Sequence, residues 1–268
     1  MRVIKELKSP LNRLFIFETD DGFKVESVFY KGDRLCVSSQ VGCPVRCLFC
    51  ASGKKGLKRN LTADEIYSQY SLLKEEFPIK GIAIAGIGEP SANADEVLKV
   101  IELFKGEGLK VTVSTTGYPL SGFKKLIRAP HDGLTVSVHA VDGEKRKRIF
   151  GISESLDGIF GALEEYWEEA SSSRRKKFQI GYLLLKGVND SEEDLRRLGE
   201  LAKRYRMTIM LMAYNPVEGV GIEPLTEEEY EKAFLALRRM GVRVTLSNRF
   251  RRDPLGGCGT LTISREVR

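Results

Sequence analysis

Apolar runs of strand length alternate with helical patterns along most of this 268-residue chain. GIAIAGIG (81–88), KVTVSTTG (110–117), LTVSVHA (134–140), FQIGYLLL (178–185), TIMLMAYN (208–215) and VRVTLS (242–247) all fit strands. Several are apolar on both faces, as parallel strands covered by helices should be. RLCVSSQ (34–40) precedes them, and LFIFETDDGFKVESVFY (14–30) reads as a hairpin turning at Asp20-Asp21-Gly22. Thr62-Ala-Asp-Glu65 and Thr226-Glu-Glu-Glu229 each fit a capping box at a helix start, and Asn189-Asp190-Ser191 precedes the helical stretch EEDLRRLGELAKRY. SSSRRKKF (171–178) reads as a solvated loop or a helix end. With no internal repeat and no linker, the alternation predicts one α/β domain, a parallel sheet with helical crossovers, open or curled into a barrel.

In such folds ligands collect where parallel strands end. GIGEP, STTG, SVHA and YNPV bring polar or glycine-rich punctuation to one end of successive strands, which locates a candidate site there.

Composition adds little at first. Hydrophobic residues at 42% and charged ones at 30% describe a soluble chain with a real core. A formal charge of +6 fits a polyanionic partner such as RNA without requiring one. MRVIKELKSPLNRLFIFETDDG holds no signal-like apolar run and no segment approaches membrane-spanning length, so a cytoplasmic protein without a membrane partner is expected. Five cysteines, an odd number in a reducing compartment, point to metal or redox chemistry rather than a disulfide scaffold.

Three of them, Cys43, Cys47 and Cys50, follow the first crossover strand as Cys-x3-Cys-x2-Cys. Thiolates at this spacing can hold three irons of a 4Fe–4S cluster and leave the fourth open to a ligand. A closed zinc site needs a fourth ligand, and His131 and His139 lie more than eighty residues away. Cys36 is a nearby alternative, awkwardly placed within a strand. Burial as a small hydrophobe would suit Cys36 or Cys258 singly, but not the triplet.

With Phe49 before the last cysteine of the triplet, the loop resembles that of the radical S-adenosylmethionine superfamily. The resemblance implies that the open iron chelates the cofactor's amino and carboxylate groups, and that an electron splits its sulfonium to a 5′-deoxyadenosyl radical. Gly86-Ile87-Gly88-Glu89-Pro90 matches the glycine-rich strand end of that superfamily, where Gly88 lets a ligand approach the backbone and Glu89 offers an acceptor to its amino group.

CVSSQVGCPVRCLFCASGKKGLKRNLTADEI, GIGEP, VSTTG, SVHA, LLLKGVND, YNPV and GGCGTL occur in the order seen in RNA adenine methyl synthases, from about Glu26 to Leu261. This closer resemblance implies a partial (βα)6 TIM-like barrel of the radical S-adenosylmethionine type over 35–268, ending in a cysteine loop and preceded by an N-terminal β-hairpin extension over 1–34. It implies methylation of an sp2 carbon, adenine C2 or C8 in ribosomal or transfer RNA. Cys258 would carry the methyl group, Cys36 would resolve the adduct and leave a disulfide, and Glu26 would accept a proton. Gly88, Glu89, Ser114, Ser137, Val138, His139 and Asn215 match cofactor-contacting positions. An external electron donor such as flavodoxin or ferredoxin is implied as well.

Taken singly, Ser114 fits a turn, His139 a core histidine, Asn215 an Asx turn and Glu26 a solvent-facing strand residue. The glycines around Cys258 suit a mobile loop, and the basic runs at 54–59, 144–148 and 248–252 would flank the opening and grip phosphates. The chain departs from the family in having only 25 residues ahead of Glu26, where a helical domain is usual, and ten after Cys258. RRDPLGGC replaces an acidic stretch. Two rivals follow: the same machinery acting on a small heterocycle or nucleotide, and a non-catalytic iron–sulfur RNA-binding protein.

Overall fold

The structure is a computed structural model and describes residues 1–30, 32–247, 249–253 and 255–261. Asn248 of the third basic run, Pro254 of RRDPLGGC and the last residues of the expected core, 262–268, lie outside the described residues.

The hairpin forms where the turn signal puts it. β2 (Asn12–Glu18) and β3 (Lys24–Tyr30) pair antiparallel, and the Gly22 N–H closes the turn on Thr19 O at 2.9 Å. A further strand, β1 (Arg2–Lys8), pairs with β2 on the outside. β3 then pairs antiparallel with β4 (Arg34–Val37), with Val28 opposite Cys36. A two-stranded side sheet, β5 (Gln40–Gly42) with β6 (Leu57–Asn60), brackets the cysteine triplet.

From β4 onward the main sheet is parallel and runs in chain order through β7 (Gly81–Ile84), β8 (Lys110–Thr115), β9 (Gly133–Ser137), β10 (Phe178–Leu184), β11 (Thr208–Ala213) and β12 (Val244–Leu246). Helices fill the crossovers: α1 (Ala63–Ser71) after β4, α2 (Ala94–Gly106) after β7 and α3 (Leu120–Leu126) after β8. α4 (Gly143–Ile149), α5 (Leu156–Glu169) and α6 (Ser172–Arg175) follow β9; α7 (Glu192–Arg204) follows β10 and α8 (Glu227–Arg239) follows β11. Six βα units and a trailing strand thus form an open, barrel-like α/β sheet. Both capping boxes are present, Thr62 with Glu65 and Thr226 with Glu229.

Side-chain alternation along the strands creates the site. Ile82, Ile84, Val111, Val113, Leu134, Val136, Ile180, Tyr182, Leu184, Ile209 and Leu211 are all buried in the main core beneath the helices. The intervening positions turn to the concave face, where Ser114, Thr135, Ser137, Leu183, Met210 and Met212 are found. That face is small, polar or sulfur-bearing at the strand ends, so it leaves room. No helix among the described residues is long and apolar enough to cross a membrane.

Candidate active site

The concave face and its loops enclose a cavity of about 1070 Å³, counting its open mouth, and all five cysteines line it. Cys43, Cys47 and Cys50 come from the loop after β5. The Leu48 N–H donates to Ile149 O at 2.8 Å and the Ile152 N–H to Val45 O at 3.0 Å, so this loop is stitched to the end of α4. Gly53 is required here, since a Cβ would lie 2.8 Å from Cα of Arg46.

Burial pushes the Cys43 thiol up to about 12 and raises Cys47 and Cys50 as well. Three dry thiolates would repel one another unless cationic metal offset their charge, which is the environment an iron–sulfur cluster supplies. Among the described residues no three His, Cys, Asp or Glu side chains are grouped to hold a single metal ion. A cluster with a separate iron for each sulfur asks for no such convergence.

Cys36, on β4, faces the cavity beside Tyr30 of β3. Burial pushes its thiol up to about 12, against the pull of the Arg251 guanidinium and a hydrogen bond with the Tyr30 hydroxyl. Arg251 Nη1 lies 3.9 Å from Cys258 Sγ. The guanidinium is held firmly charged, above its usual range, chiefly by Cys258. One buried cation therefore serves both solitary cysteines, and neither Arg251 nor Tyr30 was singled out from sequence. Strand alternation in KVESVFY, which puts Tyr30 on the face of Glu26 and Val28, is a signal that could have pointed to Tyr30. Glu26 is buried in β3, takes the Ser38 hydroxyl on its backbone oxygen at 2.6 Å and is not among the cavity's lining residues.

The Cys258 loop is packed from three sides. Gly259 O accepts the Ala51 N–H at 2.9 Å and Leu261 O accepts the Ser52 hydroxyl at 2.8 Å, tying it to the triplet loop. Asn12 Nδ2 donates to Phe250 O and Leu255 O, each at 2.8 Å. Asn215 Nδ2 donates to Arg251 O at 2.8 Å and to Cys258 O at 3.2 Å. Asn215 thus reaches the loop, and it is not among the residues lining the cavity.

Gly88, Glu89, Ser114, Ser137 and His139 all line the cavity, whereas Val138 is buried behind it. Glu89 Oε1 accepts the Ser91 N–H at 3.0 Å and the Thr115 hydroxyl; Oε2 accepts the N–H and hydroxyl of Thr116, each at 2.8 Å. Burial raises its pKa while those bonds oppose the rise. The carboxylate is locked in the wall across the ends of β7 and β8. His139 Nδ1 accepts the Leu183 N–H at 3.1 Å, and burial followed by the nearby Arg146 lowers its pKa to about 3. The ring is neutral with its proton on Nε2.

Arg146 is the residue of the basic run 144–148 that does not behave as a surface charge. It is buried, donates to Ser137 O at 3.0 Å, Val138 O at 2.6 Å and Thr116 O at 2.9 Å, and lies 4.6 Å from the centre of the Phe150 ring. Phe150 stacks on His139, whose edge meets Phe49 of the triplet loop. Arginine, three rings and strand-end carbonyls make one rigid wall.

Residues 37–199 match the model of the Radical SAM superfamily. The chain is 32% identical to the "Probable dual-specificity RNA methyltransferase RlmN" of Heliobacterium modesticaldum, over 92% of this chain and 69% of that protein. It is 36% identical to the protein of the same name from Desulforamulus reducens, over 92% of this chain and 73% of the relative. The crystal structure of a radical SAM methyltransferase from Sphaerobacter thermophilus superposes with a TM-score of 0.87 at 27% identity, over 97% of this chain and 80% of that one. The superfamily works with a 4Fe–4S cluster and S-adenosylmethionine, the triplet loop and the walled cavity fit that pair, and this chain belongs to the RlmN-type methyltransferase family of radical SAM enzymes.

Proposed function

We propose that the protein is a cytoplasmic enzyme that methylates adenine in structured RNA at C2 or C8, through a methyl group first loaded on Cys258. The observation that carries this reading is the sharing of one cavity by the triplet and the two solitary cysteines, with Arg251 beside Cys258 and Tyr30 beside Cys36. Radical chemistry suits the substrate, because an adenine amidine carbon is electrophilic and resists ordinary attack on a methyl sulfonium.

Cys43, Cys47 and Cys50 would hold the cluster, and Gly88, Glu89, Ser114, Ser137, Val138 and His139 would shape the cofactor's seat, with Asn215 acting through the Cys258 loop. When bound, cluster and cofactor supply a methyl cation equivalent and, with one electron, a hydrogen-abstracting radical. The chain's residues do the rest. Arg251 would set a buried positive charge beside the Cys258 sulfur that receives the methyl group. His139 stays neutral, and the hydrogen bonds of Glu89 hold its carboxyl group in place in the wall. Glu26, buried and outside the cavity's lining, would take the proton released from the base by way of a bridging water. Cys36, as thiolate, would then attack Cys258 sulfur; the sulfur–carbon bond breaks with its electron pair passing to the product carbon, which takes up a proton to become the methyl group, and a disulfide remains for an external dithiol to reduce. RNA as substrate is supported by the names of the relatives and the basic charge.

Cys258→Ala tests the reading. S-adenosylmethionine cleavage should continue while methyl incorporation into RNA stops, followed by mass spectrometry of digested nucleosides. RNA methylation by this variant would refute the loaded-cysteine route, and wild-type labelling of free nucleosides but not RNA would refute the substrate. Cys36→Ala should accumulate a covalent protein–RNA species visible on denaturing gels, and its absence would remove Cys36 from the resolving role.

A further inference from the structure

The triplet loop has a second face. Cys43, Val45, Cys47, Phe49 and Cys50 line the cavity, while Arg46 and Leu48 do not and are exposed. Leu48 is 46% exposed, and Ile152, on the segment bonded to the same loop, is 41% exposed. Arg148 is exposed on the adjoining end of α4, and the Cβ position of Gly151 falls 3.0 Å from Cβ of Arg46. Among the described residues neither arginine makes an ion pair, while neighbouring Lys147 is matched by Glu144. Two exposed aliphatic side chains and two arginines without an ion pair thus share the outer side of the loop whose inner side carries Cys43, Cys47 and Cys50, the Arg46 guanidinium lying against Gly56.

Scattered exposed aliphatics are ordinary; this pair is distinguished by its charge and its position. Arginines alone would suit RNA phosphates, but the two exposed apolar residues beside them are aliphatic and offer no ring on which an unpaired base could stack. Exposed apolar side chains beside arginine fit a protein–protein contact, and unmatched positive charge selects an acidic partner. We propose that Arg46, Leu48, Arg148 and Ile152 dock a small acidic one-electron carrier protein. This rests on the radical reading above. One electron leaves the reduced carrier and arrives at the iron site behind the loop, with no bond or proton exchanged at the surface.

The test uses the iron-loaded enzyme, a double variant Arg148→Glu with Ile152→Asp, and flavodoxin kept reduced by its reductase and NADPH. Iron and sulfide content reports that the loop is intact. Flavodoxin binding, measured by titration calorimetry without turnover, should weaken about tenfold or more, and flavodoxin-driven S-adenosylmethionine cleavage should fall similarly. Cleavage driven by dithionite, which needs no docking, should stay within about twofold, and the wild-type flavodoxin rate should drop with added salt. Unchanged flavodoxin affinity and rate overturn the proposal, as does a loss confined to RNA binding, which would assign the patch to RNA. A wild-type enzyme that cleaves nothing with dithionite sinks the radical reading instead, and the calorimetric arm still decides the surface.

Discussion

Gly256 sits at φ +77°, and a Cβ added there would lie 2.6 Å from Cγ2 of Val28 on β3. The glycines around Cys258 are thus demanded by close approach to strands and carbonyls, rather than by the mobility their sequence suggests. Gly256→Ala should destabilise by about 2–4 kcal/mol, combining left-handed backbone strain with overpacking. In a Val28→Ala background the added cost should fall to about 1 kcal/mol. Urea unfolding of the two pairs measures this, and equal costs in both would refute the clash. Protons act at single residues too. Burial pushes His131 and His139 to about 3, helped by Arg174 and Arg146 respectively. Unfolded histidine takes its proton near 6.5, so the stabilisation is complete above that pH and is lost as pH falls towards 3. By pH 5 the loss should be on the order of 2 kcal/mol per histidine, trimmed by Glu89, whose raised pKa acts in the opposite sense. Unfolding of cluster-free protein at pH 7 and pH 5 reads the difference; His131→Gln should roughly halve it, and a flat profile would contradict the assignment.

The N-terminal strands have a task that their sequence does not announce. Ser9 donates to Asp253 Oδ2 at 2.9 Å and Asn12 bridges Phe250 O and Leu255 O, so the segment entering β2 grips the run before Cys258. Asn12→Ala removes two buried hydrogen bonds and should cost about 1–3 kcal/mol locally. The expected outcome is faster amide exchange in residues 249–261 and faster alkylation of Cys258 with little change in β9 or β10; unaltered exchange would show that the grip is idle. The same scale shows what could be read in advance. β7 to β11 were legible because buried parallel strands write apolar runs, β12 by its β-branched run although two of its three residues are exposed, and α1, α7 and α8 because their caps are local in sequence. β1 was not read: its charged residues and mostly exposed or half-buried positions carry little apolar signal. Arg146 and Arg174 were hidden within basic runs. The second donates to His131 O at 2.6 Å and to Ile127 O at 3.2 Å, carbonyls more than forty residues away. No local period encodes a guanidinium whose partners come from another turn of the fold. Asn215 belongs to the same class, its amide being committed to the backbone of the Cys258 loop.

At the scale of the molecule, the site joins the two ends of the described chain around its first βα loop. Ala51 and Ser52, immediately beyond the triplet, hold Gly259 and Leu261, and Gly259 packs with its Cβ position 3.2 Å from Phe49 O. Phe49 in turn meets His139, which rests on Phe150 above Arg146. A group bound by the triplet would order the triplet loop directly and the Cys258 loop through those two hydrogen bonds, so metal loading and positioning of Cys258 should be thermodynamically linked. Stripping iron with a chelator under anaerobic, reducing conditions should therefore speed amide exchange in residues 43–53 and also in 256–261, while β9 and β10, buried in the main core, keep their protection. Ser52→Ala, which removes one of the two links together with the Ser52 hydrogen bond to the Cys50 thiol, should weaken the response of 256–261 to iron more than that of 43–53. If the variant and the wild type both show loosening confined to 43–53, the two loops are independent, and any coupling between the triplet loop and Cys258 must come from the substrate rather than from the fold.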